Sequence, residues 1–462
     1  MTIASRIDRY RLPILWGLVL IAVATRAALV FGAPTPYGYV WDFYHEAVVL
    51  AFEHGRLPSP GDCWECYQPP LLFALGVPFY AAGGLKLLSL LPMICAAFVI
   101  FYCRRTLLLF RPSSGDDLLG VSLALVFPCL FISSYGLEND VLLAALMSAF
   151  IYRLCLYHLR PARARPLDCV VLGVLAGLSA LTKYSGLLAV ITAGLVMAPG
   201  LAFAARRRKA ARDLAIVAAV FAATAGWHYA RNLREYRTPL LAANGWSNAA
   251  DAASVKRFGK QYDFRSFSVR EVVALYRPDL AGALNDFPVY RSVFTALHAL
   301  AWTDMSFYSV ASRHGWRIPA GYGEGETIRL IAQTPPDSPR VPPYPSKSVA
   351  PRLIELVLRL GVVPTALALI GFAATARRRA ARPLLVYAVV SVAVYAWWFL
   401  GQPSWALKTK YILFLLPAYI IYAVMGLRGV YRLDRRLGHA AVACFIATLL
   451  VCEGYLVMFA LG

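Results

Sequence analysis

The chain has 462 residues, of which 59% are hydrophobic and only 15% charged, and its mean hydropathy is +0.58. Soluble domains carry about 25% charged residues, so this composition excludes an ordinary cytosolic enzyme and a disordered chain and indicates a polytopic membrane protein. The net charge of +21 would suggest nucleic acid in a soluble protein, but the basic residues here form short clusters between apolar runs. Such clusters are typical of cytoplasmic membrane anchors, so we expect membrane lipids and no nucleic acid as partners.

The first apolar run, Ile14–Phe31, predicts a transmembrane helix, because it is long for a signal peptide and no small-residue cleavage site follows it. Arg6, Arg9 and Arg11 precede this run, so the positive-inside rule predicts a cytoplasmic N-terminus. Further windows approach the length that crosses a bilayer, giving an all-α polytopic protein of about 11 spans. They are Leu87–Cys103, Leu118–Ser134, Val141–Leu159, Cys169–Leu181, Leu187–Ala204, Leu214–Ala230, Leu353–Ala376, Leu384–Leu400, Tyr411–Leu427 and Ala440–Leu461.

The apolar segment Leu71–Ala82 decides the topology. If it crossed the membrane, Arg104, Arg105 and the cluster Arg206–Lys209 would lie outside. If it lies on the surface or re-enters, all the basic clusters face the cytoplasm, and the positive-inside rule selects this arrangement. The C-terminus is then expected outside.

This topology leaves three exterior segments, which are residues 32–84, the short turn Tyr135–Asp140 and residues 231–352. The last is rich in Pro, Gly and aromatic residues, and loops of this length are usually functional. We therefore expect a transmembrane core at residues 1–230, a small exterior subdomain or lid at 231–352, and C-terminal transmembrane helices at 353–462.

Charged residues at the exterior boundary are informative because charge inside a membrane is costly. The sequence predicts an interfacial helix from about Trp41 to His54, on which Asp42 shares a face with His45 and Glu46, one turn later. Solvated charges on a surface helix are the alternative explanation of this pattern.

The pair Cys63 and Cys66 falls in the first exterior loop. A local disulfide is the favoured interpretation in an oxidising compartment, and a metal-binding pair or two free thiols are the alternatives. The chain contains no Asn-x-Ser/Thr sequon, which favours a bacterial membrane over the endoplasmic reticulum.

Glu138 and Asp140 form a second acidic group at the junction of two apolar helices. Asp140 is placed to cap the following helix, and together the two carboxylates could hold a divalent cation (Mg, Mn or Zn), an amine or a guanidinium.

Several cations stand at the same exterior boundary, namely Lys183, Arg231, Lys408 and Lys410. Lys183 either snorkels to lipid phosphates or receives an anionic substrate, and the two outward lysines before Tyr411 oppose the positive-inside trend. A carboxylate can deprotonate an acceptor hydroxyl, while cations or a metal can take the charge of a departing phosphate. The combination therefore indicates group transfer from a phosphorylated lipid.

Taken in order, these motifs resemble the GT-C fold of integral membrane glycosyltransferases, in the subgroup of protein O-mannosyltransferases and the aminoarabinose transferase of lipid A. The resemblance covers nearly the whole chain. The matching elements are Asp42, Tyr67-Gln68-Pro69-Pro70-Leu71, Glu138 with Asp140, Leu181-Thr182-Lys183, Gly226-Trp227 with Arg231-Asn232, and Lys410-Tyr411 with Leu413 and Pro417. The chain departs from the pattern at Phe43, where many relatives have Glu, at Tyr184, where Gly is usual, and in having Cys63 and Cys66.

The resemblance implies an inverting glycosyltransferase that moves a sugar from a polyprenyl phosphate to a lipid, glycan or protein at the periplasmic face of a bacterial inner membrane. In this role Asp42 removes or orients the acceptor proton, and His45 and Glu46 tune it. Glu138 and Asp140 bind a metal or position cations. The residues expected at the donor phosphate are Lys183, Arg231, Lys408, Lys410 and Tyr411.

Three other functions remain open at this stage. They are a transporter or flippase of lipid-linked saccharides, a polymer ligase with a lipid diphosphate donor, and a nonenzymatic assembly protein. A transporter would be expected to show paired half-helices and repeat symmetry, and the sequence shows neither.

Overall fold

The computed structural model describes residues 13, 16–28, 42–63, 65–134, 136–161, 164–241, 263–269, 292–303, 351–400 and 409–461. Regular structure in these residues is helical apart from one isolated bridge between Asp263 and Ser292, as the all-α prediction requires. The helices in chain order are α1 Trp16–Ala28, α2 Asp42–His54, α3 Leu71–Leu88, α4 Leu90–Leu108, α5 Ser114–Val126, α6 Pro128–Ser133, α7 Asn139–Leu159, α8 Pro166–Thr182, α9 Leu188–Met197, α10 Ala204–Tyr236, α11 Val293–Trp302, α12 Pro351–Thr375, α13 Arg382–Leu400, α14 Leu416–Leu433 and α15 Arg435–Leu461. Short 3-10 segments at Tyr184–Leu187, Ala198–Ala202, Arg379–Ala381 and Thr409–Leu415 connect some of them.

Among the described residues, 8 helical stretches are long and apolar enough to cross a membrane, so the chain is a multi-pass integral membrane protein. They are Lys86–Leu108, Asn139–Leu159, Tyr184–Ala202, Arg207–Tyr236, Arg352–Thr375, Arg379–Trp398, Tyr411–Leu433 and Arg435–Met458. The apolar helices Trp16–Ala28, Leu71–Gly84 and Pro166–Thr182 are shorter. The expected number of about 11 spans is therefore not confirmed. Trp41, the N-terminal arginines and most of the predicted exterior subdomain lie outside the described residues.

The window Leu118–Ser134, predicted as one span, is divided into α5 and α6 by a break at Phe127. Phe127 has extended backbone angles (φ −65°, ψ 111°), and Pro128 follows as the first residue of α6. Proline supplies no N–H and disfavours helical geometry at the residue before it. The window therefore forms two helices instead of one continuous helix, because hydropathy does not register this proline.

The break is stabilised by Arg26 of α1, whose side chain is buried. Its guanidinium donates to the Leu125 carbonyl oxygen at 3.1 Å and to the Ser134 hydroxyl at 3.1 Å, and it lies 4.6 Å from the centroid of the Phe131 ring. The carbonyls at a helix end have no partner within the helix. Arg26 therefore satisfies polar groups that the separation of α5 and α6 leaves inside the protein.

One end of the bundle, called here the basic end, collects the ends of α4, α7 and α14 and the beginnings of α5, α10 and α13. The contacts that join them are Arg104–Asp117 at 3.1 Å, Arg428–Asp116 at 2.6 Å, Tyr157–Asp213 at 2.9 Å and His158–Arg379 at 2.9 Å. The basic clusters that the sequence predicts on the cytoplasmic side therefore meet at one end of the protein.

The opposite end of the bundle is called here the site end. Both termini of α3 lie there, as the following contacts indicate. Its first turn follows Tyr67, whose carbonyl oxygen accepts a hydrogen bond from the Tyr184 hydroxyl at 3.0 Å. Because α4 ends at the basic end, it begins at the site end, directly after α3. Helix α3 is kinked at Gly84, with φ +63°, a conformation that glycine adopts readily. It thus begins and ends on one side, in agreement with the surface or re-entrant assignment of Leu71–Ala82.

Candidate functional site

Helix α2 lies at the site end and contains Asp42, His45 and Glu46, the first group of candidate residues. It begins at Asp42, and the side chain of Asp42 lies outside the described residues. Along the helix, His45 is buried whereas Glu46 is exposed. His45 and Glu46 therefore have different surroundings, although both lie about one turn from Asp42.

The second acidic group is built around an ion pair between α7 and α8. Helix α7 begins at Asn139, and its N-cap residue is Glu138, which makes no side-chain cap. The Lys183 ammonium donates to Asp140 Oδ1 at 2.7 Å, and the two side chains are only 15% and 3% exposed. The prediction that Asp140 caps the helix is wrong, because its carboxylate is directed to Lys183, which directly follows α8.

Lys183 also contacts an aromatic ring. Its Nζ lies 4.3 Å from the centroid of Tyr411, in the 3-10 segment before α14. An ammonium over an aromatic face is attracted by the ring quadrupole, more strongly when both are withdrawn from water. Lys183 is therefore held inside the protein by a carboxylate and a ring, and these contacts do not match the snorkelling alternative.

A buried hydrogen-bond network joins α2 to the same place. The Tyr44 hydroxyl donates to Asn139 Oδ1 at 3.1 Å, and Asn139 Nδ2 makes a long hydrogen bond to the Thr182 carbonyl oxygen at 3.5 Å. Burial and the negative charge of Glu65, Asp140 and Glu138 raise the pKa of Tyr44 well above its ordinary value. The sequence gives neither Tyr44 nor Asn139 a role in the site, because nothing in the pattern distinguishes buried from solvated polar groups.

The first exterior loop reaches the site through Tyr67. The structure pairs Cys63 with Cys66 in a disulfide, directly before it. The Tyr184 hydroxyl donates to the Tyr67 carbonyl oxygen at 3.0 Å and accepts from the Leu241 N–H at 3.1 Å. Tyr184, which stands where the resembled family has Gly, thus connects the first exterior loop to the residues after α10.

The structure does not place the other predicted phosphate-binding cations, Arg231, Lys408 and Lys410, in contact with the Asp140–Lys183 pair among the described residues. Arg231 contacts residues of its own helix, with Nε 3.9 Å from Glu235 and a terminal nitrogen 3.4 Å from the Asn232 side-chain oxygen. Lys408 and the side chain of Lys410 lie outside the described residues. Of the predicted phosphate-binding set, the structure brings together Lys183 and Tyr411.

The described residues contain no group of three or more His, Cys, Asp or Glu side chains arranged to hold a metal ion. The carboxylate of Asp140, one of the two predicted ligands, is already engaged by the Lys183 ammonium at 2.7 Å. This donor set fits an internal cation better than a divalent metal, which would compete with a lysine for the same oxygen.

No protein-family model and no curated protein matches the chain. Among solved structures it is similar to the archaeal oligosaccharyltransferase AglB from Archaeoglobus fulgidus, in complex with an inhibitory peptide and a dolichol-phosphate. The identity is 14% and the TM-score 0.50, over 97% of this chain and 56% of the AglB chain. The chain therefore spans little more than half the length of AglB.

The chain is also similar to ArnT from Cupriavidus metallidurans in the apo state, with 16% identity and a TM-score of 0.38, over 90% of this chain and 78% of ArnT. For ArnT bound to undecaprenyl phosphate the values are 17% and 0.39, with the same coverage of 90% and 78%. The likeness to AglB concerns the fold, and it agrees with the order of motifs in the sequence. The chain has the GT-C fold of integral membrane glycosyltransferases.

Proposed function

We propose that the protein is an inverting membrane glycosyltransferase that moves a sugar from a polyprenyl-phosphate donor to a lipid, glycan or protein acceptor. The reaction takes place at the site end, which faces the periplasm of a bacterial inner membrane, while the basic end and the N-terminus face the cytoplasm. The main support for this proposal is the cluster of Asp140, Lys183 and Tyr411, which lies beside the beginning of α2, where Asp42 is located.

Lys183 is the proposed phosphate-binding residue. Its ammonium has three N–H donors, and Asp140 takes one of them at 2.7 Å. The carboxylate and the Tyr411 ring fix the position of the charge before substrate binds, which is how preorganised cations stabilise a departing anion. Lys183 directly follows the end of α8, at the proposed exterior boundary of the membrane. The phosphate of a membrane lipid can therefore reach it.

Asp42 is the proposed base. An acceptor hydroxyl oxygen attacks the anomeric carbon, its proton passes to the Asp42 carboxylate, and the bond from the anomeric carbon to the phosphate oxygen breaks. The electron pair of that bond leaves on the polyprenyl phosphate, whose charge Lys183 neutralises, with Arg231, Lys408 and Lys410 as further candidates. A single displacement inverts the anomeric configuration. Glu138 and Asp140 position the cations in this scheme.

The proposal is tested with the full chain in lipid nanodiscs, supplied with a native membrane lipid extract and an acceptor extract. Mass spectrometry follows polyprenyl-phosphate sugars in wild type and in Asp42→Asn. We expect one sugar-lipid species to disappear with the wild type only. Equal consumption by both proteins would remove Asp42 from the centre of the reaction. No consumption by folded wild type would favour the transport and ligase alternatives.

A further inference from the structure

Asn139 contacts both halves of the candidate site. Its Oδ1 accepts from Tyr44 of α2 at 3.1 Å, and its Nδ2 donates to the carbonyl oxygen of Thr182, the residue before Lys183, at 3.5 Å. The next residue, Asp140, pairs with Lys183 itself at 2.7 Å. Two consecutive side chains at the beginning of α7 thus hold the acid-bearing helix and the phosphate-binding lysine.

The chemistry of position 139 requires an amide. The side chain accepts one hydrogen bond and donates another. It is only 1% exposed, so water cannot replace either partner when the side chain is changed. An aspartate there would set a carboxylate oxygen against the Thr182 carbonyl and add a charge beside Glu138 and Asp140. An alanine would leave two buried polar groups without this partner.

The Tyr44 hydroxyl is a permanent donor in this arrangement. Tyr44 is 7% exposed, and burial and the surrounding carboxylates keep its pKa well above the ordinary value, so the phenol stays protonated. Because Tyr44 lies two residues after Asp42, its hydrogen bond to Asn139 fixes the first turn of α2 relative to α7.

We propose that Asn139 is a positioning residue that holds the beginning of α2 in register with Lys183, so that base and donor phosphate meet in a fixed geometry. The role of this geometry in catalysis rests on the proposed glycosyl transfer, whereas the positioning itself does not. Misplacement of a reacting group by a fraction of an ångström reduces turnover without weakening the binding of a group held elsewhere.

Two variants separate the two hydrogen bonds of Asn139. Tyr44→Phe deletes the phenol oxygen, and Asn139→Asp keeps the acceptor for Tyr44 but removes the donor to Thr182. Tyr152→Phe is the matched control, because it deletes a hydroxyl that accepts from Arg105 at 2.9 Å toward the other end of α7. Lys183→Met is the reference for loss of phosphate binding.

The readouts are hydrogen exchange of residues 42–54, affinity for added undecaprenyl phosphate, and sugar-lipid turnover, all in nanodiscs. We expect Tyr44→Phe to raise the exchange of residues 42–54 about fivefold, the equivalent of one lost hydrogen bond, and to lower turnover about tenfold. Asn139→Asp keeps the acceptor for Tyr44, so the exchange of residues 42–54 stays within about twofold of wild type while turnover falls about tenfold. Affinity for the probe stays within about twofold of wild type in Tyr44→Phe, and falls about tenfold or more in Lys183→Met. Tyr152→Phe changes none of the three.

Unchanged exchange in Tyr44→Phe would overturn the positioning role. So would a loss of probe affinity in Tyr44→Phe as large as that of Lys183→Met, because the hydrogen bond to Asn139 would then act on the phosphate site itself. If wild type neither binds undecaprenyl phosphate nor consumes a sugar-lipid, the proposed donor class is wrong. Hydrogen exchange still decides the positioning in that case, because it needs no substrate.

Discussion

Lys183 combines properties that rarely occur together in a membrane protein, since it is charged, largely buried and located at a helix end. Its partner Asp140 is 3% exposed, so neither charge is fully solvated. A buried ion pair of this kind seldom increases stability over an apolar pair, whereas removal of one partner is strongly destabilising. The pair is better explained by a requirement for a positioned cation than by stability.

We therefore expect Lys183→Met to lower sugar-lipid turnover by about 100-fold, the usual effect of removing one group that stabilises a developing oxyanion. The double variant Lys183→Met/Asp140→Asn removes the orphaned carboxylate, so it should recover the unfolding temperature but not the turnover. Lys86→Met is the control, since Lys86 is exposed near the end of α3. Turnover within a few-fold of wild type in the double variant would contradict a phosphate-binding role for Lys183.

Of the residues in the site, the sequence predicts the charged ones but not their contacts or their neutral neighbours. Lys183 and Asp140 were identifiable because charge at a membrane boundary is unusual. Their pairing was not, since 43 residues separate them and only the packing of α7 on α8 brings them together. Tyr44 carries no formal charge and Asn139 is a neutral amide between two carboxylates, so the sequence gives neither of them a role.

At the level of elements, the break between α5 and α6 depends on Arg26 of α1. We expect Arg26→Met to lower the free energy of unfolding by about 3 kcal/mol, because the buried carbonyl of Leu125 and hydroxyl of Ser134 lose a charged donor. Thermal unfolding in detergent measures this loss. Arg56→Met is the control, because Arg56 pairs with Asp62 at the surface and such pairs contribute little.

The exterior loop supplies a chemical prediction. Of the 9 cysteines, Cys63 and Cys66 are joined, and seven are free. Alkylation of the denatured, unreduced protein should therefore add seven labels, and prior reduction should raise the number to the full 9. Labelling of every cysteine without reduction would show that the pair is reduced in the isolated protein.

The helix α11 is joined to α12 by a histidine. His298 Nε2 lies 2.7 Å from the Leu358 carbonyl oxygen, and burial lowers the pKa of His298 although this hydrogen bond opposes the shift. The unfolded chain, with a histidine pKa of about 6.5, then binds the proton more readily than the folded protein. Stability should fall as the pH decreases below about 6.5 and level off below the folded pKa.

Thermal unfolding between pH 7.5 and 5 tests this linkage in wild type and His298→Gln. The variant keeps a side-chain N–H donor but has no titrating group, so its unfolding temperature should depend less on pH in this interval. An identical pH dependence in both proteins would assign the acid sensitivity to another group.

For the whole molecule, hydropathy and charge were sufficient to predict a helical bundle whose basic clusters share one end, because lipid and the positive-inside rule act on composition. They did not predict the Phe127 break, since it depends on proline geometry. The same limit applies to the site. The beginning of α7 and the end of α8 lie close to their predicted positions, whereas α10 continues past the predicted end at Ala230 to Tyr236, and the contacts between the side chains follow from the fold alone.

The proposed orientation has its own test. Single-cysteine labelling on a background without the natural cysteines should find an engineered cysteine at exposed Arg435 accessible only from the cytoplasm. A cysteine at exposed Arg56, in the first exterior loop, should be accessible only from the periplasm. Labelling of both from the same side would contradict the assignment of the basic and site ends.

The identity of the released lipid tests the central claim most directly. Nanodisc-embedded wild type is incubated with a native sugar-lipid extract and acceptor extract, and all polyprenyl species are quantified by mass spectrometry. We expect free polyprenyl monophosphate to appear in the same amount as the sugar-lipid that is lost. Release of polyprenyl diphosphate, or movement of an intact sugar-lipid between leaflets with no release, would contradict transfer from a polyprenyl-phosphate sugar.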